Sequence, residues 1–522
     1  VRTGRHRRIL RLAAATGCLL AAAATLASAS SVAEAAGPRL ATTAAVTPAA
    51  ALSRLLRAGT ISQAEDSRYG GAYSAAVRSY GRLSGTRRAE LGAVLANVRA
   101  IAAAGGFIPS RLPALFLTLE RNRQWWTTEP LISSGERISF PGSRIVWEYY
   151  AGQGIEIQWL GTFGEANGYF LSGHENANLH QLLGEVLPLA TQRAGGIAWE
   201  YMFRFDGGVP PWTSGLSQGT ALQVLARSYQ RFKEPALLEA AQKALGIYEQ
   251  APPQGVRVTT PAGAEYAEYT YAPGDRILNG FIQALVGLYD YTQITHDPLG
   301  LQLFEAGDAE ARAEVPHYDT GAWSLYDQYG ESNLNYHELL TEFLQHLCER
   351  TRRGEPYTAA PPPTTTTTTT PATTTPTTTP TTTTSPSGGA PAPAASAARA
   401  AAHVAQSSAA AAIPGDAIYC TTAEHFTTYL TTPPKVALLT SKLRGGTRAG
   451  VQMSLSKLST VTLTVRKAGR VVWTNSATVE RGRPRLLWLT PSAGGTFQVT
   501  IAARDLNDNF STTVGTIVVS RH

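Results

Sequence analysis

Arg276-Ile277-Leu278-Asn279-Gly280-Phe281, running on through Leu288-Tyr289-Asp290 to Thr295, reads as one helix in a series. Its companions are 176–194, 214–232, 235–250, 299–313 and 335–352, each with apolar residues at helical spacing. The connections between them hold Gly, Pro and aromatic residues, as in Gly207-Gly208-Val209-Pro210-Pro211-Trp212. Serial helical hairpins with functional residues in their loops imply an α/α barrel, or toroid, over 174–357. Such a scaffold opens a cleft at its loop end.

Outward from that block the texture changes on both sides. Residues 51–106 read as helical, with Leu91, Val94, Leu95, Val98 and Ile101 on one stripe, and the N-terminal helical region is taken as 51–130. From Glu136 to Leu171, Ile138, Phe140, Ile145, Trp147, Tyr149, Ile155, Ile157, Trp159 and Phe163 alternate with other residues between Gly-rich turns. That pattern predicts a small antiparallel sheet over 131–173. Residues 435–522 alternate as well, at Val461, Leu463 and Val465, at Leu486 and Trp488, and at Phe497, Val499 and Ile501. Turns recur often enough there to predict an immunoglobulin-like β-sandwich, a binding or spacing module. The fold class expected is mainly α and multidomain: a small antiparallel β region, an α/α barrel, then the sandwich.

Between barrel and sandwich, 361–387 is Pro and Thr almost throughout. It cannot bury a core and resembles an O-glycosylated stalk within a Thr/Pro/Ala-rich disordered insertion, 358–412. Ile418-Tyr419-Cys420 through Tyr429-Leu430 reads as one more amphipathic helix, closed by Pro433-Pro434, making 413–434 a last barrel helix. Cys348 and Cys420 are the only cysteines after Cys18, and in an exported chain they are expected to pair. The stalk would then be a loop thrown out between two packed helices.

Export is expected from the start of the chain. Arg2, Arg5, Arg7, Arg8 and Arg11 precede an apolar stretch from Ile9 to Leu26, and Ala27-Ser28-Ala29 is a small-residue cleavage site, so 1–29 reads as a signal peptide. An Ala/Thr-rich segment over 30–50 is expected to be disordered. No later run of about 18 apolar residues exists, so no membrane span is expected once the signal is removed. Of the net charge of +7, those five arginines supply most, and residues 436–522 carry twelve Lys or Arg against Glu480, Asp505 and Asp508. A basic module behind an acidic body implies either contact with a polyanion such as a uronate polymer or a solvated basic face. Zinc spacing, a phosphate-cradling loop and a nucleotide fingerprint are all missing, so no organic cofactor, metal or nucleic acid is inferred. Asp505-Leu506-Asn507-Asp508-Asn509 invites a calcium reading, but alone before a last strand it reads better as a polar turn.

The chemistry-bearing residues sit inside the helical block. Glu268-Tyr269, Tyr318-Asp319-Thr320-Gly321 with Tyr326-Asp327, and Asn335-Tyr336-His337 fall within 70 residues. A phenol with a pKa of about 10 can pass a proton to or from carbon while its ring stacks on a sugar. Taken with Pro211-Trp212-Thr213-Ser214-Gly215-Leu216-Ser217-Gln218-Gly219 and Leu278-Asn279-Gly280-Phe281, the order of motifs resembles the C-terminal catalytic domain of the glucuronyl C5-epimerases that act on heparosan and heparan-type chains. The strong likeness covers 210–340 and a fainter one extends it to 145–350, as in an exported, bacterial-looking relative.

The resemblance implies that Glu268, Tyr269, Tyr326 and Tyr336 surround a uronate ring as the catalytic set. Gln218, Trp212 and Asn279 are the candidates for substrate binding. Animal members carry an Arg three positions after the Tyr326 equivalent, where this chain has Tyr329. A cation for the substrate carboxylate must then come from Arg276, Arg204 or His337. Inverting C5 needs a base on one face of the ring, a proton donor on the other, and compensation for charge growing on the carboxylate. Which residue takes the proton stays open, as does a homodimer. A polysaccharide lyase shares the first step and is the nearest rival; a non-catalytic glycan-binding protein is the other.

Overall fold

The computed structural model describes residues 46–352 and 417–521. The expected signal peptide, Cys18 and the Thr/Pro/Ala-rich insertion lie outside the described residues, as does most of the 30–50 segment. The chain opens with α1 (Pro48–Arg57), α2 (Gln63–Arg82), α3 (Gly85–Ala103) and α4 (Leu112–Thr128). Thr47 caps α1 by accepting the Ala50 amide, and Ser62 and Glu65 form a capping box at the start of α2. The expectation of disorder up to residue 50 is therefore corrected. Pro48 suits the first helical position, and Ala51, Leu52 and Leu55 are buried by the turns that follow.

β1 (Arg137–Ile138), β2 (Trp147–Tyr150) and β3 (Gly154–Ile157) make an antiparallel sheet in that order. Trp147 lies opposite Ile157 and Tyr149 opposite Ile155. Glu90 of α3 secures the β2–β3 turn, accepting from the Tyr149 hydroxyl at 2.9 Å and from the Gly152 and Gly154 amides. The sheet is shorter than expected, because Trp159–Ser172 is a helix, α5. The Gln158 side chain accepts from the Gly161 amide as its cap, and Trp159, Phe163 and Ala166 are buried at helical spacing. Trp159 and Phe163, four apart, fit either period on their own.

α6 (Asn176–Val186) also stops early, where Pro188 takes the chain into a tight turn and then the hairpin β4 (Thr191–Arg193) and β5 (Gly196–Ala198). There follow α7 (Gly215–Phe232), α8 (Pro235–Ala244), the short α9 (Gly246–Glu249), and the hairpin β6 (Arg257–Thr259) and β7 (Ala264–Tyr266). The last helices are α10 (Leu278–Thr295), α11 (Pro298–Glu314), α12 (Leu334–Arg352) and α13 (Ala417–Tyr429). α7 and α10 are buried on nearly every side. Glycine lets them meet: a Cβ on Gly219 would enter the backbone at Ala284, and one on Gly287 would enter the backbone of Gly219. Asp290 of α10 accepts from Arg227 of α7 and Arg350 of α12, tying three helices at one point. A disulfide joins Cys348 of α12 to Cys420 of α13 with their Cα atoms 5.0 Å apart.

The helical body is followed by a β-rich C-terminal region. It comprises β8 (Val436–Leu438), β9 (Lys442–Arg444), β10 (Arg448–Leu455), β11 (Ser459–Lys467), β12 (Arg470–Val479), β13 (Arg485–Leu489), β14 (Gly495–Asp505) and β15 (Phe510–Ser520). Three strands pair in the order β13-β10-β8 and five in the order β12-β11-β14-β15-β9. Val451, Met453, Val461, Leu463, Trp488 and Val499 belong to the shared core. β15 and β9 run parallel, while the other pairs are antiparallel. The Asp505–Asn509 string is a turn: Asp505 accepts the Asn507 and Asn509 amides and its other oxygen is 2.6 Å from the buried Lys457 ammonium. Among the described residues no helix is long and apolar enough to cross a membrane.

Candidate active site

The start of α7, the segment after β7, the start of α10 and the loop before α12 converge on one cleft. Ser214 caps α7 by accepting the Ser217 amide at 3.2 Å, and its hydroxyl donates to Glu268 Oε1 at 3.0 Å. The Gly215 amide donates to the Ala267 and Glu268 carbonyls, so the helix end and the Glu268 backbone are clamped together. Gly280, in the first turn of α10, leaves space for the Glu268 carboxylate, which a Cβ there would strike. Glu268 is only 7% exposed, and Oε2 has no hydrogen-bond partner. Burial pushes its carboxyl up to about 7, with the Ser214 hydroxyl opposing the rise.

Three phenols face this carboxylate. Tyr269 stacks on Tyr271 with ring centroids 5.2 Å apart and meets Trp212 edge-on at 5.7 Å. Tyr326 hangs from the loop before α12, its amide donating to Gly330 and its carbonyl accepting from Leu278 at the start of α10. Tyr336 stands in the first turn of α12, where Asn333 Oδ1 accepts its amide. The rings of Tyr326 and Tyr336 lie 4.4 Å apart, and their hydroxyls are hydrogen-bonded to each other. Burial raises all three phenols, and the Glu268 charge raises them further. The bond from Tyr326 holds Tyr336 lower, at about 12. The cavity between these groups measures about 30 Å³, room for water, and is also lined by Leu160, Tyr201, Leu216, Ile277, Asn279 and Leu339.

The remaining expected residues divide. Trp212 and Asn279 line the cleft; Trp212 stacks on Tyr201 at 4.2 Å, and the buried Asn279 Oδ1 has no hydrogen-bond partner. Gln218 is turned to the backbone, its amide exchanging two hydrogen bonds with Trp199. Arg276 is held by three carboxylates, Glu265 at 2.6 Å, Glu310 at 2.5 Å and Glu314 at 2.8 Å. His337 is fully buried between Ser324 and the Phe426 carbonyl, and burial lowers it to about 4. Arg204 is exposed, and Tyr329 is 81% exposed. Among the described residues no Lys, Arg or His lines the cleft, and no cluster of three metal-ligating side chains occurs. Sequence reasoning passed over Ser214 and Tyr201. Ser214 could have been found, since Ser-x-x-Ser before an apolar run is a helix start; nothing local distinguishes Tyr201.

The cleft thus sets a carboxyl that burial pushes up beside three phenols, and among the described residues no Lys, Arg or His lines it. Residues 194–359 match the family described as D-glucuronyl C5-epimerase C-terminus. Over 131 residues the chain is 33% identical to the D-glucuronyl C5-epimerase of Caenorhabditis elegans, covering 23% of this chain and 21% of that one. An uncharacterized protein of Methanocaldococcus jannaschii is 26% identical over 151 residues, 28% of this chain and 49% of its own. The chain thus spans a fifth to a half of these relatives. Glu268, Tyr269, Tyr326 and Tyr336 all fall inside the matched stretch.

Proposed function

We propose that the chain is an exported carbohydrate epimerase that inverts C5 of D-glucuronate residues within a polysaccharide, giving iduronate. The observation carrying this reading is the meeting of Glu268, Tyr269, Tyr326 and Tyr336 on one cleft inside the family-matched stretch. The C5 hydrogen lies beside a carboxylate and is a very poor acid. A base with a pKa near the working pH serves best, and Glu268 at about 7 has that property. Glu268 takes the C5 proton; the electron pair spreads onto the substrate carboxylate. Tyr336 delivers its hydroxyl proton to the opposite face, and its hydrogen-bonded neighbour Tyr326 donates to the oxygen left negative. Solvent then resets both groups, and the reverse reaction exchanges their roles. Tyr269 and Trp212 line the same cleft beside them.

The substrate is a uronate polymer of the heparosan kind, met by a body read as an α/α barrel. The strand order of the C-terminal region, with its parallel β15–β9 pair, supports the immunoglobulin-type reading. The Cys348–Cys420 bond and the Arg-rich, apolar start support export to an oxidising compartment. The test is to incubate glucuronate-containing oligosaccharides with the protein in heavy water. Deuterium at C5 with unchanged chain length is the expected result. Shortened chains with unsaturated ends would make it a lyase, and bound but unlabelled sugar a glycan-binding protein.

A further inference from the structure

We propose that the C-terminal β region is a positioning element of the active site, holding the loop that carries Tyr326 through the buried side chain of Lys457. The proposal rests on the reading of the cleft given above. Lys457 is 1% exposed, and its three N–H groups are all satisfied: Asp505 at 2.6 Å, the Thr432 carbonyl at 2.6 Å and the Tyr429 carbonyl at 2.9 Å. Its remaining side lies 5.0 Å over the ring of Trp323, within the loop between Tyr318 and α12. Lys457 thereby joins three parts of the chain: the β region, the segment after α13, and the Tyr326 loop.

From Trp323 the contacts run straight toward the phenols. Trp323 stacks on His337 with centroids 3.7 Å apart and planes within 10°, and its ring N–H donates to the Ser332 carbonyl. His337 accepts from the Ser324 amide and bonds Phe426 of α13, so the residue after Tyr336 and the residue two before Tyr326 share one anchor. A second attachment lies beside the first. Glu331 accepts the Leu458 amide at 2.8 Å, next to Lys457, and Glu331 pairs with Leu325 across the loop. Asn507 and Asn509 also tie the β region to the Leu430 carbonyl but make no hydrogen bond to the loop. A spacer would need none of the loop contacts. A buried ammonium with complete donors on one wall of a loop fixes that loop's position, and small displacements at a reacting centre are costly in rate.

The test compares Lys457→Met/Asp505→Asn, which leaves no unpaired buried charge, with Glu331→Ala, which removes the acceptor of the Leu458 amide, and with Asn507→Ala. Hydrogen exchange of the Leu325, Tyr326 and Ser332 amides is read first. Both loop-directed variants are expected to speed it by about tenfold or more while α7 and α10 stay protected, and Asn507→Ala to leave it unchanged. The same loop-directed variants should lower kcat for C5 exchange by about tenfold or more with KM little altered. Unchanged loop protection in both, or equal loosening by Asn507→Ala, would overturn the proposal. A wild-type chain that exchanges no C5 hydrogen would sink the enzymatic reading instead, and the loop protection would still decide this one.

Discussion

Replacing Glu268 by Gln should make the protein more stable where it is most active. The native carboxyl sits at about 7 against an ordinary 4.5, because burial removes its water and Ser214 alone hydrogen-bonds it. A native pKa above the unfolded one means the contribution to stability is whole below about pH 4.5. It declines as pH rises and is lost once pH passes the native value. At about 1.4 kcal/mol per pH unit, the interval from 4.5 to about 7 amounts to roughly 3 kcal/mol. Gln does not titrate, so the stability of Glu268→Gln relative to wild type should grow by that roughly 3 kcal/mol between about pH 4 and about pH 8. Urea unfolding of both proteins across that range measures it, and taking the difference cancels every group the two share. C5 exchange by the wild type should rise as pH climbs through about 7, while the variant loses that limb and about 10²–10⁴ in rate. A stability difference that is flat with pH would refute the reasoning, because the carboxylate would then not be held in a dry site.

Tyr326→Phe and Tyr336→Phe should each lower C5 exchange by about 10²–10⁴ while changing unfolding free energy by only about 1 kcal/mol; a loss below tenfold would remove Tyr336 as the proton donor and Tyr326 as its support. Gly280→Ala should abolish most activity by displacing the Glu268 carboxylate, although Ala is the better helix former by about 1 kcal/mol. Exchange assays beside circular dichroism separate those two effects. Cys348→Ser should cost about 4 kcal/mol in the chain-entropy description, since the bond spans a separation of 72 residues. Melting with and without reductant reads it, and an unmoved Tm in both would rule out that contribution.

What could be read from the chain follows the range of the forces involved. α7, α10 and α12 are written in local apolar periodicity, and the C-terminal strands in alternation, so both were legible. α5 was not, because two aromatic residues four apart carry no period and the deciding Gln158 cap is a single side chain. The cleft groups Glu268, Tyr269, Tyr326 and Tyr336 were legible as motifs. The polar residues around them were not, since their partners are distant in sequence. Arg276 is claimed by Glu310 and Glu314, Gln218 by Trp199, and His337 by Phe426. A lone Arg or His gives no local sign of which carboxylate or carbonyl will satisfy it.

The staple between α12 and α13 also decides what happens when the chain is cut. A protease severing any peptide bond within 353–416 produces two polypeptides that remain covalently one particle, because Cys348 and Cys420 lie on either side of the break. Such a nicked molecule migrates as a single band on a denaturing gel until thiol is added, and then as two.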